Sequence, residues 1–186
     1  ESTQRVLKLV DELTASGLRL QYIDLGGGLG IRYNDEAPPT VAEYAAALSA
    51  LLAGRSETLI LEPGRILSAN AAVLLTEVLY LKQSQGRQFV VVDAGMNDLI
   101  RPGLYGAYHE IVPVETSERE DFVADIVGPV CETTDYLARE RTLPQVQRGE
   151  ILAVRDAGAY GFTLASNYNS RPRAAEVLVD SQSYQI

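Results

Sequence analysis

The chain has no tryptophan, and only one cysteine, one methionine and one histidine among 186 residues. A single thiol, Cys131, excludes an internal disulfide framework and suits a reducing, cytoplasmic setting. The lone His109 has no companion ligand cluster; it reads as structural, and no metal site is expected. Lysine is scarce, with Lys8 and Lys82 the only two. No apolar run approaches membrane-spanning length and no signal-like segment opens the chain, so no membrane association is expected. With a formal net charge of -9 and no basic stripe, the chain would repel a phosphate backbone, which argues against nucleic acid. Repeats and low-complexity tracts are absent.

What is present is a hydrophobic fraction of 46%, enough for a real core in one large domain or parts of two. Val6, Leu9, Val10 and Leu13 share one helical face, and Gly17 is the natural stop. Residues 18–25 read as a strand. Thr40 and Glu43 have capping-box spacing and open a helix through Leu48 and Leu51 to Gly54. A second strand follows, ending at Leu61. A helix between two strands places them parallel, with the loops after them at the same end. From residues 66–75 onward the character changes. After a short helical link, β-branched runs at 73–81, 89–93, 110–114, 122–127, 150–154 and 175–179 suggest an antiparallel barrel or sandwich. Residues 180–182 read as a turn, and 184–186 as a returning strand.

Five stretches are candidates for chemistry. Asp24-Leu25-Gly26-Gly27-Gly28-Leu29-Gly30 ends the first strand in consecutive glycines, which leave backbone N–H groups free to converge on an anion. A plain tight turn is an equally good account of it. The glycine spacing does not fit a dinucleotide fingerprint, and no Walker lysine follows. Glu62-Pro63-Gly64-Arg65 ends the second strand; it reads either as a surface ion pair or as a corner for a charged ligand. Residues 93–105 end in Arg101 and Tyr105, able to grip a carboxylate, although taken alone a solvated loop is the simpler account. In Gly128-Pro129-Val130-Cys131-Glu132, Cys131 is either a small buried hydrophobe or an exposed acid or nucleophile. Tyr160 lies between Gly158 and Gly161, either packed at a turn or projecting into a cleft.

Taken in order, these five motifs, the last extending over residues 157–173, resemble the diaminopimelate decarboxylase type of the alanine racemase-like, fold-type III family of pyridoxal-phosphate (PLP) enzymes. The resemblance implies the last two βα units of a (β/α)8 barrel over residues 1–68, followed by an antiparallel β-barrel or sandwich domain over residues 69–186. It implies PLP as cofactor, with the Gly27-Gly28 turn, Pro63, Gly64, Arg65 and the Tyr160 hydroxyl around its phosphate and Glu62 against its ring nitrogen. Arg65, Arg101 and Tyr105 would hold the distal carboxylate of an amino-acid substrate, Glu132 its distal ammonium, and Tyr160 would border it. Cys131 would be the general acid. In this family Cys131 and Glu132 cross a homodimer interface into the neighbouring site. Glutamate at 132, where ornithine-type enzymes carry aspartate, together with Arg101, implies meso-diaminopimelate converted to L-lysine and CO2.

The family's Schiff-base lysine matches neither Lys8 nor Lys82. We therefore expect the remaining barrel units to precede residue 1, the C-terminus to be shortened as well, and the chain alone to lack activity. Rival readings are a carboxynorspermidine, ornithine or arginine decarboxylase, a non-catalytic decarboxylase-like binding module, and a stand-alone β-barrel indifferent to PLP.

Overall fold

The computed structural model describes residues 1–116 and 118–186. The chain divides into two compact units, Glu1–Leu67 and Ser68–Ile186.

In the first unit, α1 (Ser2–Ala15) leads to β1 (Tyr22–Asp24), then α2 (Val41–Leu52), β2 (Thr58–Ile60) and the short α3 (Arg65–Ser68). β1 and β2 pair in parallel, Ile23 opposite Leu59, as a strand–helix–strand order requires. The capping box is formed: the Thr40 hydroxyl accepts from the Glu43 N–H, and the Glu43 carboxylate accepts from the Thr40 N–H. The buried face of α1 keeps the expected Val6 and Val10 but takes in Leu7 where Leu9 was expected. Leu7 and Val10 pack on Ile23 while Leu9 is exposed. Leu7 and Val10 are three residues apart and lie over one another, whereas Leu9 sits about 100° round from Val10. The other side of the strand pair stays open, with Tyr22, Ile60 and Leu61 exposed.

The second unit starts with a 3-10 turn at Ala69–Ala71 and continues as β3 (Leu74–Ser84) and β4 (Arg87–Val92). Then follow α4 (Arg101–Tyr105), β5 (Ile111–Pro113), β6 (Asp121–Val127), β7 (Tyr136–Pro144), β8 (Ile151–Val154) and α5 (Gly161–Leu164). A terminal antiparallel hairpin, β9 (Leu178–Asp180) and β10 (Ser183–Gln185), turns at residues 181–182 as expected.

Six strands form one sheet in the order β5-β8-β3-β4-β6-β7. β3 is long enough to serve two neighbours, pairing β8 through Leu74–Glu77 and β4 through Val78–Ser84. The expected all-antiparallel domain is corrected here: β4 and β6 run parallel, with Val90 opposite Ile126. Between them the chain passes through α4 to β5, at the far edge beside β8, and must cross back. A crossover of that length returns a strand in the same direction, which a hairpin cannot do. The two edges approach one another: the Arg141 guanidinium on β7 donates to the carbonyl of His109, just before β5, at 2.6 Å. Val78, Val90, Val92, Ile126, Leu137, Leu152 and Val154 make the core, each worth roughly 1.5–3 kcal/mol on burial.

β7 was not legible in the sequence because Arg139, Glu140 and Arg141 interrupt its alternation. Its pairing with β6 slips between Ala124 and Ile126. There the Asp125 carboxylate, buried, accepts from the Glu140 N–H at 2.8 Å, and Glu140 takes a positive φ.

Candidate active site

In the first unit the two turns that follow β1 and β2 clasp each other. The Glu62 N–H donates to the Gly26 carbonyl at 2.8 Å, and the Leu25 N–H to the Ile60 carbonyl at 3.1 Å. Asp24 tightens the first turn by accepting from the Gly26 N–H at 2.8 Å. A Cβ on Gly27 would stand 2.3 Å from the Glu62 carbonyl oxygen, so only glycine permits this approach. The neighbouring Gly28 has φ +101° and open space where a side chain would project. Glu62, Pro63 and Gly64 are exposed and Arg65 is half-buried. The expected glycines and the Glu-Pro-Gly-Arg corner are thus brought together along their backbones, with an acidic and a basic residue on the corner. These residues fit a phosphate-bearing, ring-nitrogen cofactor such as PLP.

In the second unit residues 93–105 are not a solvated loop. Ala94, Gly95, Asn97, Leu99, Arg101 and Pro102 are buried. Asp93 starts the segment by accepting from the Thr76 hydroxyl at 2.6 Å and from the Glu77 N–H at 2.8 Å. Arg171 closes it, donating to the Asp93 carbonyl at 2.5 Å and to the Asn97 side chain at 2.9 Å. Arg101, 7% exposed, lies under Tyr160 with its guanidinium carbon 5.7 Å from the ring centre, so two expected site residues meet. Tyr105, at the end of α4, is largely exposed.

Tyr160 adopts a left-handed backbone (φ 67°), a conformation that costs of order 1 kcal/mol and persists only where the surroundings enforce it. They do. The Ala157 N–H donates to the Ala72 carbonyl and the Gly158 N–H to the Ala69 carbonyl, at 3.0 and 3.1 Å. Asn70 donates to Asp156 at 2.6 Å.

Cys131 is exposed, which removes the buried-hydrophobe account. Glu132 is exposed beside it; its carboxylate accepts from the Thr133 N–H at 2.9 Å and from the Tyr168 hydroxyl at 3.4 Å. Glu132 also borders a cleft of about 400 Å³ shared with Arg87, Asp125, Asp135 and Arg139. A more enclosed, apolar cavity of about 190 Å³, between residues 72–74 and 174–177, contains none of the expected site residues.

Two residues escaped the sequence reading. Asp135 is 5% exposed, and its carboxylate accepts from the Met96 N–H at 2.6 Å and the Val130 N–H at 2.5 Å. It thereby ties residues 93–97 to the Cys131–Glu132 turn. A Cβ on Gly128 would meet both Asp135 oxygens, at 2.5 and 2.6 Å. Burial raises the Asp135 pKa above the ordinary carboxylate value, against the two N–H donors and Arg171, which lower it. An aspartate three residues beyond an expected glutamate carries no signal without the fold. His109, read as structural, is fully buried and in contact with Arg101: Arg101 Nη1 to His109 Nε2 is 2.9 Å.

A parallel strand pair ending in a glycine clasp stands in one chain with a six-stranded mixed sheet, so the chain is not a free-standing barrel. Residues 9–158 match the family described as "Pyridoxal-dependent decarboxylase, C-terminal sheet domain", and the chain belongs to that family.

Within it, a curated diaminopimelate decarboxylase from Aquifex aeolicus is 52% identical over 187 aligned residues, covering 100% of this chain and 44% of that protein. The crystal structure of the Helicobacter pylori diaminopimelate decarboxylase complexed with L-lysine superposes with a TM-score of 0.91 at 40% identity, covering 98% of this chain and 45% of that one. A lysine/ornithine decarboxylase from Vibrio vulnificus shares the fold, with a TM-score of 0.79 at 22% identity, covering 90% of this chain and 46% of that one. The chain thus spans less than half the length of the relatives it matches. No helix among the described residues is long and apolar enough to cross a membrane.

Proposed function

We propose that this chain is the back part of a PLP-dependent decarboxylase that converts meso-diaminopimelate to L-lysine and CO2. The observation that carries the reading is the clasp of the Gly26–Gly28 turn with the Glu62–Arg65 corner, which sets a glycine backbone beside an acidic and a basic residue. Identity near 50% over the whole chain to diaminopimelate decarboxylases supports the substrate assignment over the ornithine and arginine alternatives. Residues 1–68 are the last units of a (β/α)8 barrel in this reading, and residues 69–186 the appended sheet domain.

When bound, PLP supplies an electron sink for the charge left as CO2 departs. The Gly27, Gly28 and Gly64 backbone, the Pro63–Arg65 turn and the Tyr160 hydroxyl hold its phosphate. Glu62 keeps the ring nitrogen protonated. Arg65, Arg101 and Tyr105 take the substrate's distal carboxylate, and Glu132 takes its distal ammonium. Tyr160 also borders the substrate, stacked over Arg101. The Cys131 thiol delivers a proton to the α-carbon. A homodimer completes each site, with Cys131 and Glu132 serving the neighbouring cofactor. In this reading neither Lys8 nor Lys82 matches the family's Schiff-base lysine, so residues 1–186 alone would be inactive.

The test is turnover by the full-length protein with PLP, offered meso-diaminopimelate, L-ornithine and L-arginine in parallel. Lysine release from diaminopimelate is the expected result, and Glu132→Gln, which loses a charged hydrogen bond, should lower kcat/KM by about tenfold or more. Faster turnover of ornithine or arginine, or activity of residues 1–186 alone, would overturn the reading.

A further inference from the structure

His109 lies outside every role assigned above, yet its geometry is highly determined. It is 0% exposed. A guanidinium has only N–H donors, so the 2.9 Å contact from Arg101 Nη1 requires an unprotonated Nε2 on His109. The ring proton therefore sits on Nδ1 and is donated to the Arg155 carbonyl at 2.8 Å. One tautomer is selected by two partners on different elements. From this we infer that His109 is a positioning residue for Arg101, presenting a neutral acceptor that holds the guanidinium beneath Tyr160 in the pose that takes the substrate's distal carboxylate. The inference rests on the reading of Arg101 as a substrate-binding residue.

The surroundings are consistent with a neutral ring. Arg101 on α4 faces Nε2, and Arg141 on β7 donates to the residue's own carbonyl at 2.6 Å. Asp156, following β8, and the Arg155 carbonyl are the groups that favour a positive charge. Burial dominates, the two arginines add to it, and the histidine pKa lies below its ordinary value near 6.5. Protonation would set a donor against a donor and a cation against a cation. The Arg101 pose, and with it the affinity for a carboxylate-tipped substrate, is lost as pH falls through that lowered value. An ordinary buried histidine would only need its Nδ1 bond. What distinguishes a positioning role is dependence on Nε2.

The two nitrogens are separable by substitution in the full-length PLP enzyme. His109→Asn places an amide near Nδ1, keeping the donor to Arg155 but presenting nothing to Arg101. His109→Gln places its carbonyl oxygen near Nε2. Steady-state kinetics with meso-diaminopimelate should show KM raised about tenfold or more in His109→Asn with kcat within about twofold. His109→Gln should restore KM to within about threefold of the parent. The parent's rise in KM on the acid side of pH 6.5 should vanish in His109→Gln, whose amide does not titrate. If Asn and Gln variants have the same KM, or if the acid rise survives in His109→Gln, the inference is wrong. Arg101→Ala separates the two levels. A raised KM there with an unchanged one in His109→Asn overturns the role of His109 alone; an unchanged KM in Arg101→Ala overturns the substrate role of Arg101 and this inference with it.

Discussion

Replacing Asp135 by alanine removes a side chain that grips two turns at once. The carboxylate accepts from the Met96 and Val130 N–H groups at 2.6 and 2.5 Å, in a place where the residue is 5% exposed. Leaving a buried N–H unsatisfied costs about 1–3 kcal/mol, so two of them put the gross loss at roughly 2–6 kcal/mol. Alanine also relieves the desolvation of a buried carboxylate, which is the largest influence on the Asp135 pKa. We expect the net loss to settle at about 2–4 kcal/mol, which for a chain of this size is a drop in Tm of roughly 5–15 °C. The pH dependence has a definite sign. A carboxylate whose folded pKa is raised contributes most below its unfolded value near 3.9, and that contribution is lost as pH rises through the folded value. The deficit of Asp135→Ala should therefore be wider at pH 4 than at pH 7. Thermal melts of parent and variant, followed by circular dichroism at both pH values, are the assay. A variant melting within a degree of the parent, or a deficit that widens toward pH 7, would refute the account of Asp135 as a buried clamp.

Gly158→Ala should be severe, because a Cβ there would stand 1.9 Å from the Ser68 carbonyl oxygen, which is backbone and cannot rotate away. We expect a loss of about 2–4 kcal/mol in melts, against about 1 kcal/mol or less for Gly161→Ala, whose Cβ would meet only ordinary contacts at 3.8 Å. Gly27→Ala should spread the two clasped turns and, if they hold the cofactor as proposed, weaken PLP binding by the full-length protein about tenfold or more, read by equilibrium dialysis. Gly30→Ala, with its nearest neighbour at 3.7 Å, should leave that affinity within about threefold.

Local features of the chain were readable where one residue or one spacing dictates the outcome. The Thr40–Glu43 capping box, the strand–helix–strand order that makes β1 and β2 parallel, and the glycines that let the Gly27 turn approach Glu62 all follow from side-chain chemistry within a few positions. Five motifs in order also sufficed to indicate the family. What stayed hidden depends on partners far apart in sequence. β7 breaks its own alternation with three charged residues, and the backbone N–H of one of them, Glu140, is satisfied by Asp125 fifteen residues earlier. The parallel pairing of β4 with β6 is decided by where β5 docks, at the other edge of the sheet. Asp135 clamps Met96 from 39 positions away, and His109 gains its tautomer from Arg155, 46 positions on.

The amino-acid order by itself therefore determined the short-range elements, the glycine and Glu-Pro-Gly-Arg turns, and the family they resemble, because backbone freedom and capping act over a single turn. Only the tertiary structure decided which strands run parallel, which carboxylate is buried as a clamp, and which ring nitrogen of His109 holds a proton. Those outcomes are set by desolvation and by hydrogen-bond partners that only folding brings within 3 Å.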